Sequence, residues 1–241
     1  RSGLFAPIDP GALGGATGDV QATPDFSMWR GTGADALVMG TVERGGQVQS
    51  AVRVWDTTAA QQVVGKSYGT DPQSYRRIAH IVSDAIYESL AGAKGYFDTR
   101  VVYVAESGPK ANRTKRLAIM DQDGANVQYI TSGKSLALTP RFSPTQQQIT
   151  YMALYDNRPG QVYLFNIETG EQEQLGTFRG MTFAPRFSPD GRQVIMSMER
   201  NGNSDVFKMD LSTRQLTRLT DNVAIDTSPT MSPDGRRIAF T

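Results

Sequence analysis

Hydrophobic and polar positions alternate in short runs along most of the chain, and the runs return at a fixed interval. Val101-Val-Tyr-Val-Ala, Ile149-Thr-Tyr-Met, Val194-Ile-Met-Ser and Ile238-Ala-Phe-Thr each read as one short strand. Leu117-Ala-Ile-Met-Asp121, Val162-Tyr-Leu-Phe-Asn166 and Val206-Phe-Lys-Met-Asp210 form a second set. Outer strands follow at Asn126-Val-Gln-Tyr-Ile, Glu173-Gln-Leu and Gln215-Leu-Thr-Arg-Leu. Ahead of the first set stand Pro140-Arg-Phe-Ser-Pro-Thr, Pro185-Arg-Phe-Ser-Pro-Asp-Gly and Pro229-Thr-Met-Ser-Pro-Asp-Gly, whose prolines lie 45 and 44 residues apart. Four strands in about 44 residues is the period of a β-propeller blade.

The punctuation has a mechanism. Ser-Pro-Asp-Gly predicts a type I turn: Pro fixes φ, Asp bonds its own backbone, and Gly accepts positive φ. The first copy has Thr145-Gln146 in place of Asp-Gly, which predicts a looser turn. The segment 101–131 fits a blade without its innermost strand, the arrangement in which the other end of a chain supplies that strand and closes a ring. Thr241 falls inside the second strand of a fourth blade. The pattern therefore predicts a fragment with about half of a 4–8-bladed ring.

Residues 1–99 lack the repeat. Pro24 to Arg30 reads as a short capped helix, Ala36 to Glu43 as a strand, Gly45-Gly46 as a hairpin turn, Val48 to Asp56 as the partner strand and Gln61 to Tyr68 as a third. Asp71-Pro72 opens a helix whose face carries Ile78, Val82, Ala85, Ile86 and Leu90, and Gly92 and Gly95 end it. Leu4 to Thr23, rich in Gly, Ala and Pro, reads as irregular. The predicted architecture is two-domain. A small, incomplete α/β N-terminal domain over 1–96 precedes propeller blades over 97–241, joined at 94–100 without a flexible linker.

Composition narrows the function. The 241 residues carry 25 Lys and Arg against 24 Asp and Glu, a balance that gives no electrostatic case for nucleic acid or a membrane surface. No apolar run approaches the ~18–20 residues of a membrane span. Cys is absent, which removes disulfides, thiolate metal sites and thiol nucleophiles. The chain does not begin with Met or a signal-peptide pattern and reads as a processed or cut product.

Other motifs are weighed against plainer readings. His80, the sole histidine, lies off the apolar stripe of its helix with Asp84 four residues on, and reads as a surface residue. Asp121-Gln-Asp123-Gly-Ala-Asn126 lacks the spacing of a calcium loop and reads as a hairpin turn. Gly11 to Gly18 lacks P-loop register and reads as a flexible loop, and Asn112-Arg-Thr114 is a chance glycosylation match. The loops before each Ser-Pro turn, at 138–139, 181–184 and 224–228, lead into innermost strands and gather at one mouth of the ring. Met181 and Phe183 are apolar there.

Taken together, the blade repeat, the segment Arg76-Arg-Ile-Ala-His-Ile-Val-Ser-Asp-Ala-Ile-Tyr-Glu and the run Gly95-Tyr-Phe-Asp-Thr-Arg-Val-Val-Tyr-Val-Ala-Glu-Ser-Gly resemble the TolB family of the Tol–Pal cell-envelope system. Lys115-Arg-Leu-Ala-Ile-Met-Asp-Gln-Asp-Gly-Ala-Asn is similarly close, and the likeness spans Ser2 to Thr241. The resemblance implies a six-bladed propeller behind a small α/β domain. It implies a periplasmic, non-enzymatic monomer without catalytic, cofactor or metal residues. It implies two partners: Pal, the peptidoglycan-associated lipoprotein, at the propeller mouth, and TolA at an N-terminal segment preceding Arg1. The role implied is outer-membrane integrity and invagination at division. The matching mouth positions are Met181, Ala184 and Thr227, with Asp226 and Ser228 as neighbours. Two alternatives differ in class. A prolyl-oligopeptidase-type serine peptidase would need a G-x-S-x-G nucleophile elbow with Asp and His, and none is expected here. A sugar-binding propeller would need aromatic rings at the mouth, where Phe183 is the only one.

Overall fold

The computed structural model describes residues 3–9, 19–155 and 158–241, so the Gly-rich stretch Gly11–Gly18 lies outside the described residues. The chain forms two compact units, 1–99 and 100–241.

In the first unit, strands β1 (Ala36–Arg44), β2 (Val48–Asp56) and β3 (Gln61–Thr70) pair antiparallel in the order β1-β2-β3. Alternation along β2 and β3 turns Val52, Val54 and Val64 to one face, where Val82 and Ile86 of helix α2 (Tyr75–Ala91) pack on them. The short helix α1 (Phe26–Arg30) is capped by Asp25, which accepts from Ser27 N at 3.0 Å, and Phe26 meets Trp55 edge-on at 5.7 Å. Asp71 accepts from Gln73 N at 2.8 Å as expected of a cap, but Pro72–Ser74 forms one 3-10 turn and the regular helix starts only at Tyr75. The tight ring from Ser74 N to Asp71 O, 2.9 Å, explains the offset. Gly92 ends α2 in the left-handed region at φ 66°, returning its N–H to Glu88 O. Asp84 accepts from the backbone N–H of Phe97 at 2.7 Å and Asp98 at 3.0 Å, which holds the segment after the helix against it. A Cβ at Gly95 would overlap Asp84, so this close approach requires glycine.

The second unit is a row of antiparallel blades. The first has three strands, β4 (Arg100–Ser107), β5 (Thr114–Asp121) and β6 (Gln128–Tyr129). It therefore lacks an innermost strand, as the repeat predicts. The second, β7 (Leu136–Phe142), β8 (Gln148–Leu154), β9 (Gln161–Asn166) and β10 (Gln172–Gln174), and the third, β11 (Thr182–Phe187), β12 (Gln193–Arg200), β13 (Asn203–Asp210) and β14 (Leu216–Arg218), are complete. The hairpin β15 (Thr230–Met231) with β16 (Ile238–Ala239) begins a fourth.

The core lies between blades. Leu117 and Ile119 of the first blade pack on Ile149 and Tyr151 of the second. On the other face of the second blade, Val162, Leu164 and Leu175 pack on Val194, Met196 and Phe207 of the third. Five consecutive residues of β8, Ile149 to Ala153, are buried, because neighbours cover both faces. Each fully buried Val, Leu or Ile side chain contributes about 1.5–3 kcal/mol. Burial also raises the Tyr151 phenol well above its usual range.

Local polar bonds close the repeat. In the Ser188 turn, the Ser188 hydroxyl donates to Asp190 at 2.5 Å, and Asp190 accepts from Arg192 N at 3.1 Å. The Ser232 turn repeats this with Asp234 and Arg236, and Gly191 and Gly235 supply the positive φ, 71° and 70°. At the first copy, Ser143 Oγ accepts from Thr145 N and Gln146 N at 3.4 and 3.2 Å, a longer and looser set. In the first and third blades a threonine caps the strand-three N–H: Leu117 N donates to Thr131 and Val206 N to Thr220. The second blade has Gly176 at that place, and Val162 N donates instead to Thr182 of the next blade at 2.9 Å.

The innermost strands share a backbone feature the sequence did not announce. Thr139, Ala184 and Ser228, each directly before Pro140, Pro185 or Pro229, adopt positive φ of 49°, 50° and 54°. In β7 and β11 the pairing register shifts across this point, between Leu138 and Arg141 and between Phe183 and Arg186. A left-handed non-glycine residue costs roughly 1–2 kcal/mol, and its recurrence marks a bulge built into every blade entry.

Two outcomes follow. Ala184→Val should destabilise the protein by about 1–2 kcal/mol, while Ala184→Gly should be neutral or stabilise by up to about 1 kcal/mol, read as urea midpoints. Equal midpoints for the two variants would refute the strain. The second concerns Asp210, which the Ser212 hydroxyl and then the Thr213 and Ser212 backbone N–H groups pull from 3.8 to about 2. A depressed folded value stabilises fully above 3.8 and loses that stabilisation as pH falls through about 2. The urea-midpoint gap between the wild type and Asp210→Ala should therefore shrink from pH 4 to pH 2. A gap independent of pH over that window overturns the assignment.

Candidate interaction face at one end of the blades

Antiparallel pairing within a blade sets the loop between strands two and three beside the start of strand one and the end of strand four. Hydrogen bonds extend that end from blade to blade. Thr182 N donates to Gly160 O at 2.8 Å and Asp226 N to Ser204 O at 2.7 Å, while within the third blade Glu199 N donates to Met181 O at 2.8 Å. Gly133 lies so close to the start of β5 that a Cβ would stand 3.0 Å from Arg116 Cγ. The loops around 108–113, 132–135, 158–160, 176–181, 200–203 and 219–229 therefore share one end of the unit.

The loop 219–229 is held from within. Arg218 reaches Asp205 at 2.6 Å and Asp221 at 2.7 Å, Asn203 donates to Asn222 O at 2.8 Å, and Asn222 donates to Asp226 at 2.8 Å. Asp205 is buried, and its Oδ1 has no hydrogen-bond partner among the described residues. Ser228 N donates to Ser197 Oγ at 3.1 Å, and Thr227 and Thr241 exchange backbone hydrogen bonds of 2.6 and 2.9 Å. On this fixed frame Val223 is 101% exposed and Ile225 65%, with Leu219 and Met181 at 37% and 36%.

The five residues singled out from the sequence have different situations. Met181 and Ser228 present surface, Thr227 and Ala184 are half-buried, and Asp226 is buried at 5% exposure, where it anchors the loop. Sequence reasoning passed over Val223 and Leu219. The available signal was an apolar residue between Asn222 and Asp226, two polar residues that a loop uses for its own bonds.

The pentapeptide expected to be absent does occur. Gly65-Lys66-Ser67-Tyr68-Gly69 satisfies G-x-S-x-G, and this corrects the reading. It lies in the middle of β3 with Ser67 opposite Ala51, not at the strand-to-helix turn that makes a nucleophile elbow. His80 is on α2, and Asp84 uses both carboxylate oxygens on backbone N–H groups. The Asp121–Asn126 segment is a turn between β5 and β6, closed by Asp121 N to Ala125 O and by Asn126 Nδ2 to Asp121 at 2.6 Å. Among the described residues no three His, Asp or Glu side chains converge as a metal set. Nor, among those residues, is any helix long and apolar enough to cross a membrane.

The family model of the TolB amino-terminal domain matches residues 1–63, and that of the TolB beta propeller domain matches residues 87–241. TolB from Acinetobacter baumannii is 30% identical with a TM-score of 0.80 over 89% of this chain. The chain spans 54% of that protein's length. A protein of Agrobacterium tumefaciens assigned to TolB is 16% identical, TM-score 0.49, over 86% of this chain and 70% of its own. The oligogalacturonate lyase of Vibrio parahaemolyticus is 12% identical, TM-score 0.45, over 86% of this chain and 59% of its own. The last two carry no argument about activity. With both of its units matched by that family's domains, the chain belongs to the TolB family.

Proposed function

We propose that this chain is part of a periplasmic, non-catalytic scaffold of the Tol–Pal envelope system. Its propeller docks Pal at the loop end described above, and the N-terminal segment of the whole protein engages TolA. The role is to maintain the outer membrane and draw it inward at division. Family membership supports the system. The observation that carries the docking end is the loop 219–229, whose polar side chains are spent on internal bonds while Val223 and Ile225 are turned to solvent at the same end as Met181. A loop already fixed before binding loses little entropy on contact, and exposed apolar side chains on a rigid frame are the composition of an interface centre.

Within this reading Met181, Ala184, Thr227 and Ser228 form the contact face, and Asp226 keeps its loop in place. Ala184 and Ser228 sit at the left-handed entry to their innermost strands, so the bulge sets the direction of the contact face. The N-terminal sheet with α2 serves as the body from which the TolA-binding segment extends.

Met181→Asp in the full-length protein places a charge in the apolar centre. The dissociation constant for Pal, measured by calorimetric titration, should rise at least tenfold, about 1.4 kcal/mol, with the unfolding temperature unchanged. Thr227→Arg should weaken binding in the same direction. Unchanged affinity in both variants would remove Pal from this end of the propeller.

A further inference from the structure

The formal charge of the whole chain, +1, conceals a segregation that the fold produces. At the loop end, the described residues within 106–116, 131–135, 155–161, 176–181, 199–205 and 218–229 contain nine Lys and Arg against five Asp and Glu. At the opposite end the proportions reverse. Arg100 and the turn segments 121–127, 143–148, 166–173, 188–193, 210–215 and 232–237 contain eight acids against five cations.

Pairing sharpens the contrast. At the loop end Asp205 and Asp221 are bound by Arg218, Glu106 by Lys115 and Arg113, and Asp226 is buried. Lys110, Lys134, Arg158, Arg179 and Arg200 are exposed and form no ion pair among the described residues. Lys110, Arg158 and Arg200 come from the loops between strands two and three of the three blades, and Lys134 and Arg179 from the two connections between those blades, so they are spread over five loops of one end rather than crowded on one.

Resting on the docking reading above, we propose that these five side chains form a cationic collar that recruits an acidic protein surface and aligns it before the apolar centre closes. Charge complementarity commits the occupant to a protein. The cations share their end of the blades with the exposed apolar side chains Met181, Val223 and Ile225, and a mixture of separated cations and apolar side chains is the composition of a protein interface, whereas a lipid surface would be met by a continuous cationic cluster. Exposed rim charges act mainly on the association rate, through a field that salt screens over about 10 Å at 0.1 M.

The test uses the full-length protein with Lys134→Glu, Arg158→Glu and Arg179→Glu combined, and follows Pal binding by stopped flow from 20 to 300 mM salt. None of the three is among the residues assigned above to the contact face. The wild-type association rate should fall about tenfold or more over that range. The triple variant should be slower by about tenfold or more at low salt and nearly independent of salt, with the dissociation rate within about twofold of wild type. Equal association rates at every salt, while Met181→Asp still weakens the complex, would overturn the collar and leave the docking end standing. If wild-type protein forms no complex with Pal, the docking reading and the collar fall together. Capture of wild-type protein by phosphatidylglycerol vesicles, lost in the triple variant whose Pal association is unchanged, would assign the cations to lipid and overturn the acidic-protein partner.

Discussion

Everything in the propeller unit depends on blades burying both faces against one another. A single four-stranded sheet with Ile149, Tyr151, Leu164 and Phe165 exposed would be an aggregation template. Val194 and Met196 of β12 answer Val162 and Leu164 of β9 across a continuous apolar layer. That stacking fixes the spacing of blades. The spacing in turn decides which loops can exchange backbone hydrogen bonds at the ends.

The bulged entry to each innermost strand follows from this constraint. The chain must leave an outer strand, cross to the next blade and turn into its inner edge within a few residues. Thr139, Ala184 and Ser228 absorb that change of direction in the left-handed region, and the proline after each prevents the strand from relaxing back into register. The cost is local and of order 1–2 kcal/mol. Its consequence is that each innermost strand begins from the same backbone geometry. Polar side chains complete the fixation, and where Gly176 removes one cap, Thr182 of the next blade takes over. The blades are joined chemically as well as by packing.

Much of the fold was legible because it rests on local rules. The turn residues Ser-Pro-Asp-Gly, the period near 44 and the missing strand before Val101 depend on neighbours in sequence, and the structure returns each of them. The helix entry at Asp71 was read correctly as a cap. The extent of the 3-10 turn was not, because it is decided by small differences in hydrogen-bond length. The G-x-S-x-G pentapeptide shows the opposite hazard. A motif defined by residue type carries chemistry only where the backbone turns sharply, and at Ser67 it runs straight through a paired strand. The candidate face was half legible. Met181 stood out as an apolar loop residue, whereas Asp226 was named only as a neighbour of Thr227, and its burial and its bond from Asn222 follow from the folded loop.

The sequence by itself determined the blade repeat, the two-part organisation and the family, since all three are written in spacing and in residue identity. It also determined that total charge is nearly balanced, and on that ground it gave no sign of an electrostatic role. Only the tertiary structure decided where the charges stand. Lys110, Lys134, Arg158, Arg179 and Arg200 are separated by 20 or more residues, yet antiparallel strands return every one of their loops to the same end. Charge along a chain adds to a sum, whereas charge in a fold adds to a field. The repeat that the sequence spells out acquires its direction, one cationic end and one acidic, only when the blades are stacked.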